Sequence, residues 1–407
     1  LPERHGVSDR PLHSSPCKIE GTPISLPQPI LRYYLHTILN TLIKDEMGYP
    51  DTFQGFSIDS QSEWTKFRKA ELTPKPFEDR DVDIAIEACG VCGSDVHKIS
   101  GGWGPCSLPL CVGHEVVGRV VRKGVNASTV EIGERVGVGA QVSACLKCKN
   151  CLSDNENYCP HQVDTYDGAY PDGTISQGGY SSHIRVHEYF VFKIPDNIES
   201  SLVAPMMCAG ITTYSPLVRA NIGPGKKVAV IGIGGLGHFG IMWAKALGAE
   251  TYAISHSPHK AEDALALGAK EFISTSVEGW HKPWQYTFDF ILNTADATDK
   301  FDIKAYMSTM AVNGVFHNVG LPDKPLPSMM AFDFMPGGYS MGASHIGSRR
   351  EMFAMLKLAS EQNIKSWVQT IDISDAGCKE AVERVHQGKT KYRITLVGYD
   401  KVFGKRY

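Results

Sequence analysis

The sequence has no run of five or six like charges, and its 41 Lys+Arg against 44 Asp+Glu leave a net charge of only −3. A nucleic-acid or anionic-membrane partner therefore has no electrostatic footprint. Internal repeats and low-complexity tracts are lacking too, which excludes solenoids and repeat arrays. Eleven cysteines in 407 residues are too sparse for a disulfide framework. An uninterrupted apolar segment is also missing. The longest candidate, Val228 to Ala249, is broken by Gly232, Gly234, Gly235, Gly237, His238, Gly240 and Lys245, so it does not read as a membrane span.

What is present is ordinary for a folded chain: 42% apolar and 21% charged residues. At roughly 100 to 200 residues per domain, the length predicts two or three domains. Residues 1 to 47 stand apart, with Pro2, Pro11, Pro16, Pro23, Pro27 and Pro29 ahead of a helical candidate at Ile30 to Lys44. This leader reads as an unstructured appendage, and Glu3, Asp9 and Glu20 weigh against a mitochondrial transit peptide.

From Phe56 to Val142, short β-rich runs at Val82 to Ala88, Val116 to Val121 and Arg135 to Val138 predict an antiparallel or barrel-like unit. From Leu202 the texture changes. Val228 to Ile231, His238 to Leu247, Thr251 to Ser255 and Ala261 to Leu267 alternate as strand, helix, strand, helix, which predicts a parallel sheet. Phe288 to Asn293 and Gly314 to Val319 continue that sheet, followed by a helix at Arg349 to Glu361 and a closing strand at Tyr392 to Val397.

Three motifs carry chemistry. Cys145, Cys148, Cys151 and Cys159 follow C-x2-C-x2-C-x7-C, a spacing suited to structural zinc held by four thiolates. An iron–sulfur cluster is the rival, but the ferredoxin run has three residues before its last cysteine where this chain has seven. The metal-type clustering also points to a reducing, cytoplasmic compartment. Cys92, His114 and Cys208 lie far apart in sequence. Spacing alone leaves open whether they ligate a catalytic zinc or are buried core residues.

The third motif is Gly232-Ile233-Gly234-Gly235-Leu236-Gly237, a G-x-G-x-x-G between a strand and a helix, the context for pyrophosphate binding. After the next strand, where NAD enzymes place an acid for the ribose hydroxyls, stand Ser255, His256, Ser257 and Lys260. Hydroxyls, imidazole and ammonium favour a 2′-phosphate, hence NADP(H).

Taken together, Gly113-His114-Glu115, Gln177-Gly178-Gly179-Tyr180, Cys208-Ala209-Gly210, the glycine loop and Tyr392-Arg393 resemble the zinc-dependent medium-chain dehydrogenases. The likeness is to their cinnamyl alcohol dehydrogenase-like, NADP-dependent members, especially fungal ones, over about Gly48 to Gly404. It implies an α/β chain in which a GroES-like, β-rich catalytic domain (48–201 and 343–407) receives a Rossmann NADP-binding domain (202–342).

The resemblance further implies two zinc ions per chain and a homodimer. One ion would be held by Cys92, His114 and Cys208, with Glu115 as an alternating ligand, and the other by the four-cysteine set. Asp95 would orient the zinc-bound imidazole, and Ser94 and His97 would relay the substrate proton. Leu236 and Arg393 would join the glycine loop in holding the cofactor. Trp103 would wall the substrate mouth, unless it is a core residue, and Gly93 and Gly102 would leave room where relatives carry larger side chains. The expected reaction is hydride transfer between NADP(H) and aromatic or medium-chain aldehydes and primary alcohols. The alternatives are an NAD-dependent polyol or secondary-alcohol dehydrogenase on the same fold, or a non-catalytic binding protein that retains it.

Overall fold

The computed structural model describes residues 52–296 and 301–405, all within one body spanning Asp51–Tyr407. The leader, its helical candidate and the expectations attached to them lie outside the described residues. Two large sheets organise the rest.

The β-rich unit centres on the eleven-residue strand Asp81–Val91, hydrogen-bonded antiparallel to Glu115–Lys123, His183–His187 and Arg393–Val397. Its residues are buried almost throughout, consistent with a strand packed on both faces. The sheet is antiparallel except where Val368–Asp372 runs parallel to Arg393–Val397. The β-rich unit is therefore built from both ends of the described chain.

The second sheet has six strands, numbered here in chain order: β1 (Lys227–Ile231), β2 (Glu250–Ser255), β3 (Glu271–Ser274), β4 (Phe288–Asn293), β5 (Met310–Asn318) and β6 (Ser340–Ala343). All neighbours are parallel, and their spatial order is 3-2-1-4-5-6. That is the doubly wound Rossmann order, in which strand sequence reverses between β1 and β4 and leaves a crevice at their carboxyl ends. The predicted β1, β2 and β4 agree with these spans to within a residue, whereas β5 begins four residues earlier than predicted. No sequence pattern marks the short strand β3 or the mostly exposed β6, because neither carries a clear alternation of apolar and polar residues.

Val228 to Ala249 folds as β1, the glycine loop and the helix Gly237–Ala246. Among the described residues, no single helix is long and apolar enough to cross a membrane. The helix is apolar around most of its circumference because it is covered on several sides. Trp243 is fully buried, packs face to face on Phe239 at 5.8 Å and edge-on to Tyr214 at 5.9 Å, and donates its indole N–H to the Gly210 carbonyl at 3.0 Å. It ties the cofactor-loop helix to the helix Ala209–Arg219, which begins immediately after Cys208. Trp243→Ala should therefore cost about 3–5 kcal/mol, read as a lowered urea midpoint with little change in slope.

Candidate active site

Cys92 ends the central strand's run and is the N-cap of the helix Gly93–Ser100, a position where the helix dipole favours a thiolate. His114 immediately precedes the neighbouring strand Glu115–Lys123, which Glu115 opens. Cys208 sits in the break between the 3-10 turn Ala204–Met207 and the helix Ala209–Arg219. These three chain segments converge, so that one ligand atom from each of Cys92, His114, Glu115 and Cys208 lies within 4.8 Å of the others, all buried.

His114 Nε2 has no hydrogen-bond partner despite its burial, an arrangement that is costly unless something else binds the nitrogen. A zinc ion fits this donor set of two sulfurs, one imidazole and a nearby carboxylate. Hydrogen bonding from the Cys208 thiol holds Cys92 well below the ordinary thiol range, while the same partnership pushes Cys208 up. Burial pulls His114 down, but the neighbouring Cys92 and the charges of Asp95 and Glu115 carry it up to about 9.

Around this cluster the packing is specific. Glu115 accepts from Arg393 Nη2 at both carboxylate oxygens, and burial raises it to about 8 against the pull of the Arg393 charge. A side chain at Gly90 would place its Cβ 1.9 Å from Glu115 Oε2, so only glycine leaves the carboxylate its berth. Asp95 accepts from the backbone N–H groups of Cys92 at 2.9 Å and Gly113 at 3.2 Å, and from the Tyr180 hydroxyl at 3.3 Å. Tyr166 also hydrogen-bonds Asp95 and stacks on His114 at 5.3 Å. Asp95 acts on the imidazole through its charge, while the Tyr166 ring holds the imidazole plane. No motif marks Tyr166.

A cleft with about 770 Å³ of room separates the two sheets. Cys92, Ser94, His97 and Trp103 line one side, and the glycine loop Gly232–Leu236, Ser255, His256, Ser257 and Lys260 line the other. Ser94 Oγ lies 3.5 Å from Cys92 Sγ. Gly232 has φ +83°, and a Cβ on Gly237 would sit 1.8 Å from the Gly232 carbonyl oxygen, so the turn admits no side chain there. A Cβ on Gly234 would meet nothing within 4 Å, so the loop backbone faces the open cleft there.

Lys260 Nζ donates to the Ile233 carbonyl at 2.8 Å, which folds its ammonium beside the loop. Arg393 lines the same cleft next to Gly235 while pairing with Glu115, so it faces the cofactor loop and the metal cluster together. Gly388 and Thr390 also reach the cleft from the β-rich unit, contributions no local pattern announced.

One alternative falls away here and one expectation changes. Trp103 is not a core residue: it is 37% exposed, stacks on His97 at 4.9 Å and donates to the Leu321 carbonyl at 3.3 Å. Gly102 does not leave room for substrate. A Cβ there would lie 2.6 Å from Asp323 Oδ2, so the space is filled by a carboxylate from across the cleft.

The four-cysteine set is equally well formed. Its sulfurs stand 3.5 to 3.9 Å apart in the pairs Cys145–Cys151, Cys148–Cys151, Cys148–Cys159 and Cys145–Cys159. A tetrahedron with Zn–S bonds of about 2.3 Å has an edge of about 3.8 Å, so a zinc ion fits without rearrangement. Backbone N–H groups of Lys147 and Cys148, with the neighbouring thiols, hold Cys145 down to about 6.

Residues 78–196 match the alcohol dehydrogenase GroES-like domain, and residues 235–361 match the zinc-binding dehydrogenase domain. NADP-dependent alcohol dehydrogenase 6 of Saccharomyces cerevisiae is 47% identical over 360 residues, covering 88% of this chain and 99% of that protein. Cinnamyl alcohol dehydrogenase from Sorghum bicolor superimposes with a TM-score of 0.81 at 32% identity, over 85% of this chain and 97% of that one. The cinnamyl alcohol dehydrogenase of Helicobacter pylori, solved with NADP(H), gives 0.78 at 33% identity, over 85% and 98%.

The two donor sets differ in what their loss should do. Cys208→Ala should abolish turnover and leave the urea midpoint nearly unchanged, whereas Cys148→Ala should lower that midpoint by opening a closed site. Metal analysis of the purified chain should return two zinc ions, falling to one in Cys208→Ala.

Proposed function

This chain belongs to the zinc-dependent alcohol dehydrogenase family, and from that membership we propose that it interconverts aromatic and medium-chain aldehydes with their primary alcohols using NADP(H). The observation that carries this reading is the single cleft in which Cys92, Ser94 and His97 face the glycine loop and the acid-free segment Ser255–Lys260. Cys92, His114 and Cys208 would hold the catalytic zinc, with Glu115 as its alternating ligand, and the four-cysteine set would hold a second, structural zinc. The domain division at 48–201 with 343–407 and at 202–342, a homodimeric assembly and a cytoplasmic location complete the proposal. The family likeness supports them, and the metal-type cysteine pattern favours a reducing compartment.

When bound, the zinc supplies a Lewis acid for the substrate oxygen, and NADPH supplies the hydride. The chain's own residues do the rest. In reduction, Ser94 donates its hydroxyl proton to the substrate oxygen, and His97, one helical turn further along Gly93–Ser100, returns a proton towards the cleft. Asp95 and Tyr166 hold His114 in place, and Arg393 keeps Glu115 turned towards itself. Ser255, Ser257 and Lys260 receive the 2′-phosphate, and the Gly234 backbone approaches the pyrophosphate. Trp103 and Leu321 form an apolar wall, and the open space at Gly93 admits a flat ring.

Steady-state kcat/KM with NADPH and with NADH, across acetaldehyde, hexanal, benzaldehyde and cinnamaldehyde, tests the reading. NADPH should be preferred, and the two aromatic aldehydes should exceed acetaldehyde in a graded series, since each buried apolar group is worth about 1–3 kcal/mol. Preference for NADH, or activity confined to ketones and polyols, would favour the polyol-dehydrogenase alternative. Ser94→Ala should lower kcat by about 10²-fold.

A further inference from the structure

His97 is held at both ring nitrogens by carboxylates from the opposite side of the cleft. Asp296, beyond the end of β4, lies 3.0 Å from Nε2, and Asp323, beyond β5, lies 2.6 Å from Nδ1. Trp103 covers one face of the imidazole, with 7° between the ring planes. The two carboxylates are not equivalent. Asp296 lines the cleft and Asp323 does not, although both side chains are about half exposed to solvent. Nε2 is thus paired with a carboxylate of the cleft lining and Nδ1 with one outside it. The missing side chain of Gly102 is what admits Asp323, whose carboxylate oxygens lie 2.6 and 2.7 Å from the position a Cβ would take.

We infer that Asp323 is the outward proton acceptor of the relay, a positioning residue that acts through His97 and does so only while the two sides of the cleft are closed on each other. This rests on the reading of Ser94 and His97 as the proton relay. In alcohol oxidation, a proton arriving from the cleft binds Nε2, the Nδ1 proton passes to Asp323, and Asp323 releases it to water. No electrons move in this step, and the imidazole ends in its other tautomer. In aldehyde reduction the same path runs inward. Asp323 thereby couples proton exit to closure, because Gly102 and His97 belong to one side of the cleft and Asp323 to the other.

Among the described residues, the charged groups on the elements packed against this helix are paired elsewhere. Lys98, next on the same helix, pairs with Asp167, and Glu63 of the neighbouring turn pairs with Lys66. On the packed helix Asp375–His386, Lys379 pairs with Glu383 and Arg384 with Glu380, while His386 stacks on Trp64. The hydrogen bond to Asp296 and the charges of both carboxylates raise the His97 pKa above the ordinary imidazole value, against the opposing effect of burial. Because oxidation needs neutral His97 as acceptor, the acid limb of its pH profile marks this titration, and removing a carboxylate moves that limb to lower pH.

The test is the pH dependence of kcat/KM for cinnamyl alcohol oxidation by the zinc-loaded enzyme with NADP⁺, for the parent, Asp323→Asn, Asp323→Glu, Gly102→Ala and His97→Ala. Asp323→Asn should lower the acid-limb midpoint by about one pH unit and reduce the alkaline plateau. Gly102→Ala, which displaces the carboxylate without removing it, should do the same, and Asp323→Glu should restore most of the parent profile. The double variant His97→Ala/Asp323→Asn should match His97→Ala alone, since the two act as one unit.

Profiles of Asp323→Asn and Gly102→Ala that superimpose on the parent, while His97→Ala departs from it, would overturn the role of Asp323 and leave the relay standing. Additive losses in the double variant would overturn it equally. If Ser94→Ala and His97→Ala also leave the profile unchanged, the relay reading itself fails.

Discussion

The contact on which the rest of the site depends is the buried pair between Arg393 and Glu115. Both groups are removed from water, so their charges are tolerable only in each other's company. Glu115 belongs to the strand that delivers His114, and Arg393 opens the strand that returns from the far end of the chain. Their union fixes two strands on either side of Asp81–Val91, and with them the positions of Cys92 and the metal donor set. It also places a guanidinium against Gly235, at the bend where the cofactor's phosphates are expected. Metal cluster and cofactor loop are thus joined by a single side-chain pair, which makes the chemistry on the two sides of the cleft interdependent.

Small residues make that arrangement possible at three places, each for its own reason. Gly90 yields to the Glu115 carboxylate, Gly237 lets the helix approach the Gly232 carbonyl, and Gly102 yields to Asp323. Each is a point where another group occupies the volume that a side chain would claim, so the exclusion is steric and specific to the neighbour.

The same logic explains the second coordination layer. Asp95 is buried and gathers two backbone N–H groups and two tyrosine hydroxyls, a network that holds its geometry because each member satisfies another. His114 is then held by the Tyr166 ring on one face and by the charge of Asp95, while its buried Nε2 has no hydrogen-bond partner. In the four-cysteine lobe, backbone N–H groups of Cys145 and His161 point at the Cys159 sulfur, and Asn157 and Glu156 tie the lobe to His345 and Arg349.

Local information was enough for the features whose physics is local. The spacing of Cys145, Cys148, Cys151 and Cys159 closes a metal site within fifteen residues. The glycine loop is legible because a tight turn, a strand before it and a helix after it follow one another in the chain. The missing acid after β2 likewise sits at a known distance from that loop. Cys92, His114 and Cys208, by contrast, were separable from ordinary buried residues only by family likeness, because what makes them a cluster is the convergence of three segments. Asp296, Asp323 and Tyr166 carry no motif at all. Their partners lie far away in sequence, so their roles exist only once strand order and cleft closure bring them together. Gly102 shows the difference most plainly. The sequence records an absent side chain, and only the folded chain shows that a carboxylate more than two hundred residues away fills the gap.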